Sequence, residues 1–167
     1  MTEVDRARID SLNVPAWYIA TPTFDILYAN QAASALFPWA VPASSSARRP
    51  TNMIEQFMVD PRAVDTVTNW EDVVHRMVAV FRVYAPGVIA TDRILEIVET
   101  CSANLKFSHL WHTELDQDAG SHDHIIVRDQ RTGQHSDWTM DAYHSARNSR
   151  PHELIILTPG LAPAPTM

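Results

Sequence analysis

Metal binding is the first chemistry to weigh, because the chain carries eight histidines among twenty carboxylates. His109 and His112 stand three apart and would share a helical face, while His122 and His124 alternate as strand residues do, with Glu114 and Asp123 nearby. A zinc site needs three or four such ligands converging, each oriented by a hydrogen-bonding neighbour. No HExxH or paired-cysteine spacing supplies that convergence, so no metal is expected. Nucleophilic chemistry fares no better. Ser44 to Ser46 lie in a stretch without the glycines of a nucleophile elbow, and four glycines in all leave no phosphate-cradling loop. General acid–base work needs a positioned group in a cleft, which no spacing here identifies. No enzyme is expected.

Binding chemistry has more to work with. Phe57, Met58, Trp70, Met77, Phe81, Phe107, Trp111, Trp138 and Met140 could surround an apolar cavity, and methionine suits such a wall because it adapts its shape. Periodicity alone describes a filled core more simply. Arg82, beside Phe81, is a candidate to hold an acidic head group through paired hydrogen bonds. Its plainer reading is a salt bridge to an acidic residue of the next helix. The only cysteine, Cys101, cannot close an intramolecular disulfide and reads as a buried packing thiol at helical spacing from Leu95 and Val98.

The element that must position most of these groups runs from Asn69 to Tyr84. Trp70, Val73, Val74, Met77, Val78, Phe81 and Tyr84 recur at helical spacing, with Glu71, Asp72, His75, Arg76 and Arg82 largely off the stripe. Thr68 and Glu71 have capping-box spacing, Asn69 is an alternative cap, and Pro86-Gly87 ends the helix. Upstream, residues 3–12 predict a short helix. Pro15–Ala20 and Phe24–Tyr28 predict two strands joined by the turn Thr21-Pro22-Thr23, and Asn30 is placed to cap a helix through Phe37. Residues 42–51 read as an exposed loop. Asn52 opens a helix through Met58, and Asp60-Pro61 another through about Val67.

Downstream, Asp92 is expected to cap a helix with the stripe Leu95, Val98 and Cys101, and Phe107, Leu110 and Trp111 mark a further helical segment. Residues 116–121 form a turn. The period then changes. Ile125–Val127 is a short strand, residues 135–143 alternate with period two, residues 144–151 are a loop, and Glu153–Thr158 is the most hydrophobic strand, hence central. Two strands, a set of helices and three strands predict an α+β fold: a five-stranded antiparallel sheet with helices packed on one face. Residues 1–12 stand outside that body as an N-terminal helix or linker, residues 13–160 form it, and residues 161–167 are a flexible tail.

At 167 residues the chain suits one domain with a real core. A formal charge of −7 and the scarcity of clustered cations argue against gripping nucleic acid, which requires displacing counterions. No run is long enough to span a bilayer and the polar N-terminus is no signal peptide, so a cytoplasmic location is expected, with no membrane partner.

Several runs, in order and spacing, resemble the ligand-binding domain of MmyB-like transcription regulators. They are Pro15-Ala16-Trp17-Tyr18, Asp25-Ile26-Leu27-Tyr28-Ala29-Asn30, Asn52…Phe57…Asp60-Pro61-Arg62, Trp70-Glu71, Phe81-Arg82 and Phe107-x-x-Leu110-Trp111. The resemblance implies a PAS-like fold and a ligand-sensing domain of a bacterial regulator, with a small apolar ligand such as a fatty acid or similar lipid and no other cofactor. It makes Phe57, Met58, Trp70, Met77, Phe81, Arg82, Phe107, Trp111 and Trp138 the expected ligand-binding set. Such a domain usually follows a helix-turn-helix DNA reader. Because this sequence begins almost where the ligand domain begins, it is expected not to bind DNA itself, but to act as a homodimer or with a separate DNA-binding regulator. The alternative is an interaction module with a filled core that pairs through the Val4–Leu12 helix.

Overall fold

The computed structural model describes residues 1–115, 123–144 and 152–160. The expected turn at 116–121, most of the expected loop at 144–151 and the tail at 161–167 lie outside the described residues. Five strands form one antiparallel sheet: β1 (Ala16–Ala20), β2 (Asp25–Ala29), β3 (His124–Arg128), β4 (His135–His144) and β5 (His152–Pro159). Their order is β2-β1-β5-β4-β3, so the most hydrophobic strand is the central one, as its composition requires. Register puts Trp17, Ile19, Ile155, Leu157, Met140 and Ile125 on one face, and Tyr18, Leu154 and Ile156 on the other.

Helices α2 (Gln31–Leu36), α3 (Met53–Val59), α4 (Pro61–Thr66), α5 (Trp70–Tyr84), α6 (Thr91–Cys101) and α7 (Leu105–His112) contribute to a single core against the first face. Helix α1 (Glu3–Asp10) does not join them. It packs Ile9 and the following Leu12 against Ala16, Tyr18, Leu154 and Ile156 on the opposite face. Its start is fixed by Thr2 and Asp5, which cap each other's backbone amides.

Two buried asparagines set the frame. Asn30 caps α2 through Ala33 N–H, accepts from Ala16 N–H, and donates to the carbonyls of Ile9, Leu12 and Val14. It therefore ties α1, β1 and α2 together, which is why the polar side chain tolerates 2% exposure. Asn52 does the same at the other end of the hairpin, donating to Thr23 O and Asp25 Oδ1 and accepting from Ile54 and Glu55 N–H at the start of α3.

Both sheet edges are closed by chain rather than left open for pairing. On β2, Ile26 N–H donates to Thr51 O and Met53 N–H to Phe24 O. On β3, Thr68 N–H donates to Ile126 O, and the Asn69 side chain bonds both His124 O and Ile126 N–H. That last contact corrects the expectation for α5. Asn69 precedes the helix but makes no side-chain cap, because its amide is committed to the β3 edge. Asp92 likewise does not cap α6. The helix starts at Thr91 behind Ala90, two residues earlier, with Asp92 in its first turn beside the positive end of the dipole. The buried stripe of α6 is Ile97 and Cys101, flanked by half-buried Ile94 and Val98, while Leu95 is 58% exposed.

Candidate functional site

Between the helices and the sheet lies a cavity of about 240 Å³. Its floor is the inward face of the sheet: Trp17 and Ile19 from β1, Ile155 and Leu157 from β5, Met140 and Ala142 from β4, and Ile125 from β3. Its roof is one face of α5, formed by Val73, Arg76, Met77 and Val80 at spacing i, i+3, i+4, i+7. Phe24, Phe37, Trp39, Ala40, Met53, Phe57 and Val67 close the side.

Four aromatics on that side form a continuous edge-to-face chain. Trp17 meets Phe37 at 5.4 Å and 61°, Phe37 meets Trp39 at 5.7 Å and 89°, and Trp39 meets Phe57 at 5.0 Å and 75°. These are favourable geometries for ring quadrupoles, so the wall is rigid as well as apolar. Both indole N–H groups are taken up within the protein: Trp17 Nε1 donates to Ala40 O at 2.8 Å and Trp39 Nε1 to Thr66 Oγ1 at 3.4 Å. Phe24 reaches the wall from a left-handed backbone, φ 64°, which a bulky side chain adopts only at a cost. Its N–H to Ala20 O and its carbonyl from Met53 N–H hold that turn.

Polar groups gather at one end. Thr21, Asp123 and Glu153 line the cavity there, and Arg76 reaches over from α5. Arg76 Nη1 stands 3.9 Å from Asp123 Oδ1, and none of its three guanidinium nitrogens reaches solvent or has a hydrogen-bond partner among the described residues. Glu153, opposite His144 in the ladder, lies with Oε1 3.2 Å from His144 Nδ1.

Of the nine residues expected to bind a ligand, Phe57 and Met77 line this cavity. The other seven lie elsewhere. Met58 is buried in the core and α7 is anchored beside it, Asn104 Nδ2 donating to Met58 O. Trp70, Phe81, Phe107 and Trp111 belong to the α5–α7 contact: Phe81 and Phe107 both pack on Trp111, and Lys106 sits over the Trp70 ring. Arg82 donates to the Trp111 carbonyl and so braces the same helix pair, where an acidic side chain was the plainer expectation. Trp138 is half-buried and donates to Ser136 Oγ along its own strand. Tyr84, expected on the stripe, is 64% exposed.

Helix α5 thus has two working faces. Trp70, Val74, Val78 and Phe81 are its helix-packing face, and Val73, Arg76, Met77 and Val80 its cavity face. A stripe analysis merges the two because they are adjacent on the helix. Arg76 is off the apolar stripe by charge, while its spacing to Val73 and Val80 places it on the second face. The run from Ala16 to Ile19 is apolar on both faces, so alternation does not single out Trp17 and Ile19 as inward, and nothing in the spacing marks Phe37 and Trp39 as wall rather than loop.

Beyond the cavity, Arg93 pairs with Asp25 and Glu96, and Arg49 with Glu55 at 2.7 Å. Burial pushes the Glu55 carboxyl above its ordinary range, and Arg49 and Arg93 pull it partly back. This network joins β2, α3 and α6 and is structural. Burial also lifts the Cys101 thiol to about 12, which leaves it an inert packing group. No three His, Cys, Asp or Glu among the described residues are grouped to hold a metal, and His122 lies outside them. No described helix is long and apolar enough to cross a membrane.

The family model of the MmyB-like transcription regulator ligand binding domain matches residues 6–162. No curated protein matches the chain.

Proposed function

The chain belongs to the family of MmyB-like transcription regulator ligand binding domains, and on that premise we propose that the α5–sheet cavity is its effector pocket, taking a small apolar molecule such as a fatty acid. The observation that carries this is the cavity itself. About 240 Å³ of space bounded by Trp17, Phe37, Trp39, Phe57, Met77 and Ile155 is a size and lining suited to a small hydrophobic guest.

Occupancy would be read through α5. Val73, Met77 and Val80 touch the guest, while Phe81 on the adjoining face packs on Trp111 of α7. A guest that moves α5 against the sheet therefore moves α7 with it. The response would be a changed association with another chain, a second copy or a separate DNA-binding regulator, in the cytoplasm. Mass spectrometry of a denaturing extract of the purified protein tests the reading. A lipid-like molecule in near-stoichiometric amount is expected. A chain that yields none, and whose melting temperature no fatty acid raises, contradicts it.

A further inference from the structure

The two ends of the cavity differ in kind. Along β1 its lining runs from Trp17 through Ile19 to Thr21, just beyond the strand. At the Trp17 end the edge-to-face chain of rings continues through Phe37 and Trp39 to Phe57. These rings are part of the core rather than a cover over it. Trp39 is 3% exposed and tied to Thr66 of α4, Trp17 is tied to Ala40, and Phe57 sits on α3 with the buried Ile54 and Met58. At the Thr21 end the lining turns polar and meets water. Asp123, Glu153 and Ala142 contribute there, Ala142 is exposed, and the Asp123 side chain is 61% exposed.

From this we infer that the pocket is a length gauge: it takes an apolar chain of about ten heavy atoms, with Trp39 as the stop, and gains nothing from a longer one. The inference rests on the pocket reading above and adds the size class of the guest. Two measures agree on it. By volume, a dry cavity of roughly 150 Å³ accommodates benzene, so ~240 Å³ accommodates about ten atoms of similar packing. By length, Trp17 and Thr21 lie roughly 13 Å apart at the strand rise of about 3.3 Å per residue. A zigzag chain of about nine bonds, each ~1.5 Å, covers a similar distance. A longer chain passes the aromatic wall only by parting rings packed to the density of the core. Its extra methylenes therefore emerge at the Thr21 end, among carboxylates and water, where burial no longer rewards them. Trp39 sets the limit because it is the middle link, touching both Phe37 and Phe57, so its removal opens the wall.

The test is calorimetric titration of the full chain with the straight 1-alkanols from 1-hexanol to 1-undecanol, on the wild type, Trp39→Leu and Val80→Phe. An alcohol series holds the head group constant and uncharged, so length is read alone. Affinity for the wild type is expected to rise about fourfold with each methylene as far as 1-octanol or 1-nonanol, and then to stop rising. Trp39→Leu should move that break to a chain about two or more carbons longer, and Val80→Phe, which narrows the space from α5, to a shorter one. Should Trp39→Leu fail to fold, the wild-type break and its shift in Val80→Phe decide the matter. A wild-type affinity that climbs through 1-undecanol, or a break that stays in place in the folded variants, overturns the gauge and leaves the pocket standing. A wild type that binds none of the series overturns the pocket and the gauge together.

Discussion

Arg76 and Asp123 face one another across the polar end of the cavity at 3.9 Å, near enough for attraction and too far for a hydrogen bond. The pair is lopsided: the guanidinium nitrogens are sealed from solvent, whereas the carboxylate is largely exposed and screened by water. Replacing Arg76 by methionine, similar in reach and uncharged, removes the desolvation cost and loses little attraction. The unliganded variant should be more stable by about 1–2 kcal/mol in urea denaturation, with an unchanged m-value. A loss of stability of that size would mean that the pair contributes net attraction.

Asn30 makes the opposite prediction. Its amide group satisfies Ala16 and Ala33 N–H and three carbonyls at 2% exposure. Asn30→Ala strips a helix cap and leaves several buried groups unpaired, at a cost of about 3 kcal/mol. In a domain of this size that lowers the melting temperature by roughly 6–12 °C, measurable by circular dichroism. A shift below about 2 °C would show that water replaces these bonds easily.

Those two residues also mark how far the sequence could be read. Asn30 was legible, since a polar residue between a strand and an alanine-rich segment has few other uses, and the hairpin, the central β5 and the helix order were legible for similar local reasons. The site was less so. Arg76 looks like surface because the stripe takes Val73 and Met77 into a single apolar face and leaves Val80 off it. Phe81 and Trp111 looked like cavity wall because aromatic weight cannot tell helix–helix packing from a lining. What separates them is the rotation of α5 relative to the sheet, and that is fixed by contacts distant in sequence, including Asn69 on β3 and Arg82 on the Trp111 carbonyl.

Cys101 gives a pH prediction. Burial raises its folded-state value to about 12, against an ordinary 9.0 in the unfolded chain. An acid whose value is raised on folding contributes stability fully below the unfolded value and loses it as pH climbs toward the folded one. The stability margin of the wild type over Cys101→Ala should therefore shrink as pH rises above about 9. Urea melts at pH 8 and pH 10.5 measure it; a constant margin contradicts the assignment. At pH 8 the thiol should also resist aromatic disulfide reagents until the protein is unfolded.

Val80 offers a way to close the cavity without touching its polar end. It is half-buried on the cavity face of α5 and makes no polar contact there. Val80→Phe adds ring volume to the space between α5 and the sheet, so it should weaken guest binding at least about tenfold while holding or raising stability, as cavity filling commonly does.

That variant turns the central claim into one comparison. The melting temperature of the wild type and of Val80→Phe is recorded with and without 1 mM octanoate. A guest present at about a hundred times its dissociation constant stabilises its host by about 2.7 kcal/mol, so the wild type should rise by several degrees. The filled variant should barely move. No rise in the wild type, or an equal rise in both proteins, would contradict a ligand seated between α5 and the sheet.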